Sequence, residues 1–142
     1  RNNLRRLIVV TGHAGSSHMT AIRLAAKKVV NSHMNEKNKP RIMVCSDYDF
    51  AFDIKDKDID GRDSHAGTVE TSRVMAIRPD LVSGKGLKNF PDMPRFEIMP
   101  DPERYFPSGV MGDSTKASSE IGQKINEYII EQIAKLVEML KK

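Results

Sequence analysis

Cysteine is nearly absent from this sequence: Cys45 stands alone among 142 residues. No intrachain disulfide can form, and a single thiol fits a reducing compartment. Long apolar runs are missing too. Even Leu7 to Val10, as long as any, falls far short of the roughly 20 residues that a membrane helix needs. Arg5 and Arg6 precede only that short run, which does not make a secretory signal. Aromatic residues are scarce at 6%, and the basic residues are scattered. A nucleic-acid surface therefore has little support. The expectation is a cytoplasmic protein with no membrane and no nucleic-acid partner. The chain starts at Arg1, without methionine, and a strand follows almost at once, so it reads as a fragment or processed piece.

What is present suits a folded domain. The hydrophobic fraction is 39% and the charged fraction 30%, a globular rather than disordered balance. The length is one domain's worth and allows a real core. The formal net charge of +4 suits a phosphorylated substrate, or simply a lysine-rich surface.

Leu7 to Val10 is short and β-branched and runs into Thr11-Gly12, the pattern of a strand buried on both faces in a parallel sheet. Ser16 or Ser17 is a candidate helix cap. Met19, Ile22, Ala26, Val29 and Val30 then fall near helical spacing, with Arg23, Lys27 and Lys28 outside. A polar break over 35–40 leads to a second strand at Arg41 to Cys45. Strand, helix, strand is a βαβ unit, with parallel strands and a right-handed crossover. From Asp47 to Asp63 the chain is an acidic loop with a helical turn near Tyr48 to Phe52. Between Gly67 and Arg78, Val69, Val74, Met75 and Ile77 predict a helix that Pro79 stops. Ser83 to Pro107 reads as an extended surface loop. Lys116 to Leu140 is the clearest helix, with Ile121, Ile125, Tyr128, Ile129, Ile133, Leu136 and Leu140 in one apolar stripe and Ser114 or Thr115 at its start.

Three segments carry candidate chemistry. Thr11-Gly-His-Ala-Gly-Ser-Ser17 follows the first strand, and ligands of open parallel sheets bind at strand carboxyl ends. His13 is placed there as a metal ligand or acid/base. Gly12 and Gly15 favour a tight backbone turn beside a ligand. Ser16 opens a helix whose N–H groups suit an oxyanion or phosphate. A tight turn with an incidental histidine accounts for this segment equally well. Asp63, His65 and Glu70 lie within eight residues, and imidazole and carboxylate are ligands for divalent metals or movers of protons. Glu70 could equally be a favourable charge at a helix start. Pro107 to Ser118 has glycines and polar residues that turn and cap chemistry would explain.

In this order the three segments resemble the creatininase family. Thr11-Gly12-His13-Ala14-Gly15-Ser16 resembles its Asn-Gly-His-Gly-Gly-Asn segment. His65-Ala-Gly with Glu70-Thr-Ser72, continuing through Met75 and Arg78-Pro79, resembles its His-Ala-Gly and Glu-Thr-Ser signature. Gly109-Val-Met-Gly-Asp113, then Ala117-Ser118 and Gly122, resembles its late segment. The resemblance runs across nearly the whole chain. It implies an α/β class fold, three-layer α/β/α with a mostly parallel sheet, of which 1–142 is a single domain forming the C-terminal part. It further implies two divalent metal ions (iron, zinc or manganese) and a homo-oligomer, a hexamer in many members. Residue by residue, it implies that His13 and Glu70 bind metal and that His65 works in the catalytic pocket with Asp63 beside it. Gly12, Gly15 and Ser16 are carried over as substrate-binding positions.

Two departures shape the expectation. The family's other ligands lie in an N-terminal Glu-x-His pair followed by Asp, which nothing here matches, so about half the metal shell is expected to be missing. Creatinine-specific members carry glutamates where this chain has Gly15 and Ser64. The resemblance therefore points to a metal-dependent amidohydrolase on a small non-peptide amide, with a lean towards the branch that deformylates a formylamino-pyrimidine ribonucleotide. The rivals are creatinine hydrolysis, a phosphate- or nucleotide-binding module without hydrolysis, and an inactive structural half.

Overall fold

A computed structural model describes residues 4–142. It forms two compact units: one runs up to Asp53 and includes Tyr128–Lys142, and the other is Ile54–Glu127. No helix among the described residues is long and apolar enough to cross a membrane.

The first unit contains strand β1 (Arg6–Thr11), helix α1 (Ser16–Ser32), strand β2 (Arg41–Ser46) and a single turn, α2 (Tyr48–Ala51). The predicted βαβ order is present. β1 and β2 pair in parallel, from Arg6 opposite Arg41 to Thr11 opposite Ser46. The expected burial of β1 on both faces is not found: Leu7 is 40% and Val10 42% exposed. The physical reason is the sheet's size. Among the described residues β1 and β2 pair only with each other, so each keeps one open edge.

The start of α1 also departs from expectation. Gly15 holds the cap position and no side chain caps the helix, so neither Ser16 nor Ser17 does. Met19 is buried, Ile22, Ala26 and Val30 are half-buried, and Val29 falls outside this face. β2 buries Cys45 and Ser46. Burial, with Asp49 and Asp47 nearby, pushes the Cys45 thiol up, which keeps it protonated and unreactive. Side chains receive the backbone N–H groups at the start of α2: the Ser46 N–H donates to Asp49 Oδ2 at 2.9 Å, and the Tyr48 N–H donates to Ser46 Oγ at 3.2 Å. The Asp47 N–H donates to Thr11 O at 3.1 Å, tying the carboxyl ends of both strands together.

The second unit contains helix α3 (Thr68–Ile77), two-residue strands β3 (Lys88–Asn89) and β4 (Gly112–Asp113), which pair antiparallel, and the first turns of helix α4 (Ser119–Lys141). α3 lies where its pattern predicts, but its buried face differs. Val74 and Ile77 are exposed, and Thr68, Val69 and Ser72 are buried. Polar residues can point inward because each has a partner: Thr68 Oγ1 donates to Asp113 O at 2.7 Å, and Ser72 Oγ accepts from the Ser118 N–H at 3.0 Å. α4 begins later than Ser114 or Thr115. Those residues form a 3-10 turn capped by Asp113, and Ser118 Oγ receives the Ile121 N–H at 3.2 Å. The predicted stripe is otherwise present, with Ile121, Ile125, Ile129 and Leu140 buried. The stretch 83–107 is loop apart from β3 and one 3-10 turn at Pro102–Arg104.

Gly122 on α4 lies directly over α3: a Cβ built there would stand 1.9 Å from Ser72 O. Backbone cannot yield as a flexible side chain can. Gly122→Ala is expected to destabilise by about 1–3 kcal/mol, the usual cost of overpacking. Urea unfolding followed by far-UV circular dichroism measures this, and an unchanged midpoint would contradict the close helix contact.

Candidate functional site

The residues singled out in the sequence fall into two clusters, one in each unit. In the first unit the chain leaves β1 at Thr11 and enters α1 at Ser16. Gly15 has φ −53° and ψ 131°, and Gly12 has no positive φ, so neither adopts a backbone restricted to glycine. Gly15 matters through space: a Cβ there would stand 2.5 Å from His13 Nε2. Its missing side chain leaves room for the His13 ring. Gly12 and Ser16 are exposed.

The sequence reading missed a neighbour. His18, in the first turn of α1, sets its ring 5.1 Å from that of His13, at 64° between planes. Thr11 links the two. Its Oγ1 accepts the His13 backbone N–H at 3.1 Å and lies 3.0 Å from His18 Nε2. The signal available was a second histidine five residues after the first, inside the predicted first helical turn.

In the second unit, Asp63, expected in the catalytic pocket, is the buried anchor of the helix start. Oδ1 accepts from the Thr68 N–H at 2.8 Å and the Asp113 N–H at 3.3 Å, and Oδ2 accepts from the Val69 N–H at 2.9 Å. A carboxylate at a helix N-terminus satisfies orphan N–H groups and meets the positive end of the helix dipole. Two glycines make space for it. A Cβ at Gly67 would stand 1.9 Å, and one at Gly112 2.2 Å, from Asp63 Oδ1. The glycine of His65-Ala-Gly67 is thus required by Asp63. These contacts describe a structural clamp.

The clamp carries His65 and Glu70. The Ser64 and His65 N–H groups donate to Met111 O at 2.8 and 3.1 Å, and the Met111 N–H donates back to His65 O at 2.7 Å. Ala66 then turns into the left-handed region, with φ 51°, at a cost of about 1–2 kcal/mol for a residue with a Cβ. The Ala66 N–H donates to Glu70 Oε2 at 2.7 Å, which offsets part of that cost. Glu70 reaches back over the helix start much as in a capping box. The kink leaves His65 Nδ1 3.7 Å from Glu70 Oε2, with the His65 side chain 61% exposed. An open cleft of about 730 Å³ in this unit is lined by Ala66, Glu70, Thr71, Val74 and Thr115 among others. Nearby, Arg62 forks onto Asp60 at 3.0 and 2.9 Å and holds its carboxyl down to about 2. The same guanidinium lies 4.2 Å over the Phe90 ring.

The donor chemistry suits a divalent metal. Imidazole nitrogen and carboxylate oxygen are ligands for zinc and manganese. Among the described residues no three His, Cys, Asp or Glu side chains gather into a preformed cluster. Each unit instead presents a pair: His13 with His18, and His65 with Glu70.

A family model described as creatininase, creatinine amidohydrolase, matches residues 1–137. A creatinine amidohydrolase of Pseudomonas putida is 29% identical over 146 residues, covering 94% of this chain and 55% of the relative. A crystal structure of creatinine amidohydrolase superposes with a TM-score of 0.70 at 27% identity, covering 96% of this chain and 56% of that one. A mutant creatininase of Zn-Zn type gives 0.72 at 27% identity, covering 98% and 58%. A manganese creatininase gives 0.71 at 27% identity, covering 97% and 58%. The chain thus spans little more than half the length of these relatives, and it shares their α/β fold over that span.

Asp63→Ala removes the acceptor of three buried N–H groups and is expected to cost about 1–3 kcal/mol, the penalty of stranded donors. Asp63→Asn keeps one acceptor oxygen and should cost less. Urea unfolding orders the variants, and wild-type stability for Asp63→Ala would refute the clamp.

Proposed function

The chain belongs to the creatininase family, and we propose that it carries part of the active site of a metal-dependent amidohydrolase acting on a small non-peptide amide. The observation that supports this most is the His65–Glu70 pair. The family signature falls on residues that the fold brings within 3.7 Å through a left-handed kink. In this reading His13 and Glu70 are metal ligands, and His65 handles the proton. Gly12, Gly15 and Ser16 border the substrate, and the active protein is a homo-oligomer.

A divalent ion bound by such donors supplies Lewis acidity towards the amide carbonyl and an activated water. The chain's own groups supply the rest. His65 is exposed, so its ring reaches a substrate in solvent contact. With Nδ1 turned towards Glu70, Nε2 is the ring atom left to give a proton to the departing nitrogen, a role in general acid–base catalysis. Water and amide become a carboxylic acid and an amine; from a formamide the products are formate and the amine.

Two substrate classes compete. The resemblance of the first segment to the family's glycine-rich version, with Gly15 and Ser64 in place of glutamates, favours a formamide, in particular a formylamino-pyrimidine ribonucleotide. The match to a creatinine amidohydrolase makes creatinine the alternative. A reading without hydrolysis rests on α1, whose N-terminus carries no side-chain cap and no acidic residue in its first turn. Such a helix end suits a substrate phosphate, and in the non-hydrolytic reading that is its only role.

The test is turnover by the intact protein on a formamide panel and on creatinine, with and without chelator. Hydrolysis should vanish on chelation and return with zinc, manganese or iron(II). His65→Ala should lower kcat by about 10²–10⁴-fold, the usual worth of a general acid or base, with KM little changed. Anion binding that survives chelation, with no turnover on any amide, would favour the non-hydrolytic module.

A further inference from the structure

We propose that His18 is a metal ligand: it and His13 hold one divalent transition-metal ion between their rings at the end of β1, and Thr11 sets the His18 tautomer. The proposal rests on the metal-dependent reading above and extends it to a residue just outside the Thr11–Ser17 segment.

The ring geometry comes first. The centroids are 5.1 Å apart and the planes meet at 64°. Two imidazoles on one tetrahedral ion, at metal–nitrogen distances of about 2.0–2.1 Å, place their centroids about 5 Å apart. The pair therefore already stands at the separation a shared ion requires. Both residues are exposed, so an ion and its remaining water ligands can reach them.

The hydrogen bonds of Thr11 bear on the His18 ring. A threonine hydroxyl has one proton to donate and two lone pairs to accept with. Thr11 Oγ1 lies 3.4 Å from His13 O, which can only accept. It lies 3.1 Å from the His13 N–H, which can only donate. When the hydroxyl proton goes to His13 O, His18 Nε2, at 3.0 Å, donates to the second lone pair. That leaves the Nδ1 lone pair free to bind metal. A ligating histidine that donates its other ring N–H to a fixed oxygen is the recurrent second layer of protein metal sites, and its partner fixes ring orientation. Thr11 is held in turn by the sheet, where it pairs with Ser46.

Gly15 makes room for this arrangement. With no side chain there, the His13 ring folds back until Nε2 would stand 2.5 Å from an added Cβ. The missing side chain lets the His13 ring take up its place beside the first turn of α1, where His18 lies.

The intact protein, stripped of metal, is titrated with Co²⁺, whose visible spectrum reports coordination, and Zn²⁺ then competes the signal away. Wild type should bind. His13→Ala and His18→Ala should each weaken Co²⁺ binding by more than tenfold, and Thr11→Val, which keeps the shape and removes the hydroxyl, by about tenfold, the low end for loss of a second-layer partner. His13 and His18 are exposed and Thr11 is half-buried, and circular dichroism melting verifies that each variant folds. Wild-type affinity in His18→Ala, alongside weakened binding in His13→Ala, would overturn the role of His18 and leave the family reading intact. No Co²⁺ binding by wild type would overturn both.

Discussion

The Asp63 carboxylate, buried between two glycines and taking N–H groups from α3 and β4, is the interaction on which the candidate chemistry depends. An unpaired carboxylate at this depth would be costly. Here backbone donors at a helix start receive it, so the charge that had to be buried also ends the loop and begins the helix. Everything between Asp63 and Glu70 follows. The chain must pass from the clamp to Met111, kink at Ala66 and return to Asp63 at Gly67. His65 is left outside and Glu70 is drawn back towards it. The positive φ of Ala66 is a local strain of the kind that functional sites hold when their surroundings over-determine them.

The end of β1 is built on a different economy. There the anchors are the sheet pairing of Thr11, the Asp47 N–H on Thr11 O, and the Thr11 hydroxyl, which contacts three groups. No buried charge is involved. The two rings are positioned by a strand end, a helix start and an empty space at Gly15. Such a locus is open to solvent and to ions, which suits a ligand pair better than a buried acid–base group.

Much of this was legible in the residues. Short β-branched runs and one long apolar stripe located the parallel strands and α4, and Pro79 marked the end of α3. The family motifs picked out His13, which lies beside His18, and His65 and Glu70, which lie 3.7 Å apart. Other features were not legible, for physical reasons. Burial of β1 depends on how many strands flank it, which its own residues do not encode. The buried face of α3 is polar, because Thr68 and Ser72 find partners on other segments that periodicity cannot see. Asp63 read as an acid in an acidic loop, since nothing local announces that Gly67 and Gly112 leave a hole for it. His18 was hidden because pairing with His13 depends on the turn between strand and helix. The helix caps at Gly15 and Ser118 each lie within a few residues of the serines and threonine first favoured, the scale on which cap choice depends on tertiary fit.

The most direct measurement is elemental analysis of the protein purified without chelators and under conditions that preserve labile iron. The account predicts divalent zinc, manganese or iron in near-stoichiometric amount, retained through gel filtration. Metal at background level in such a preparation would contradict it.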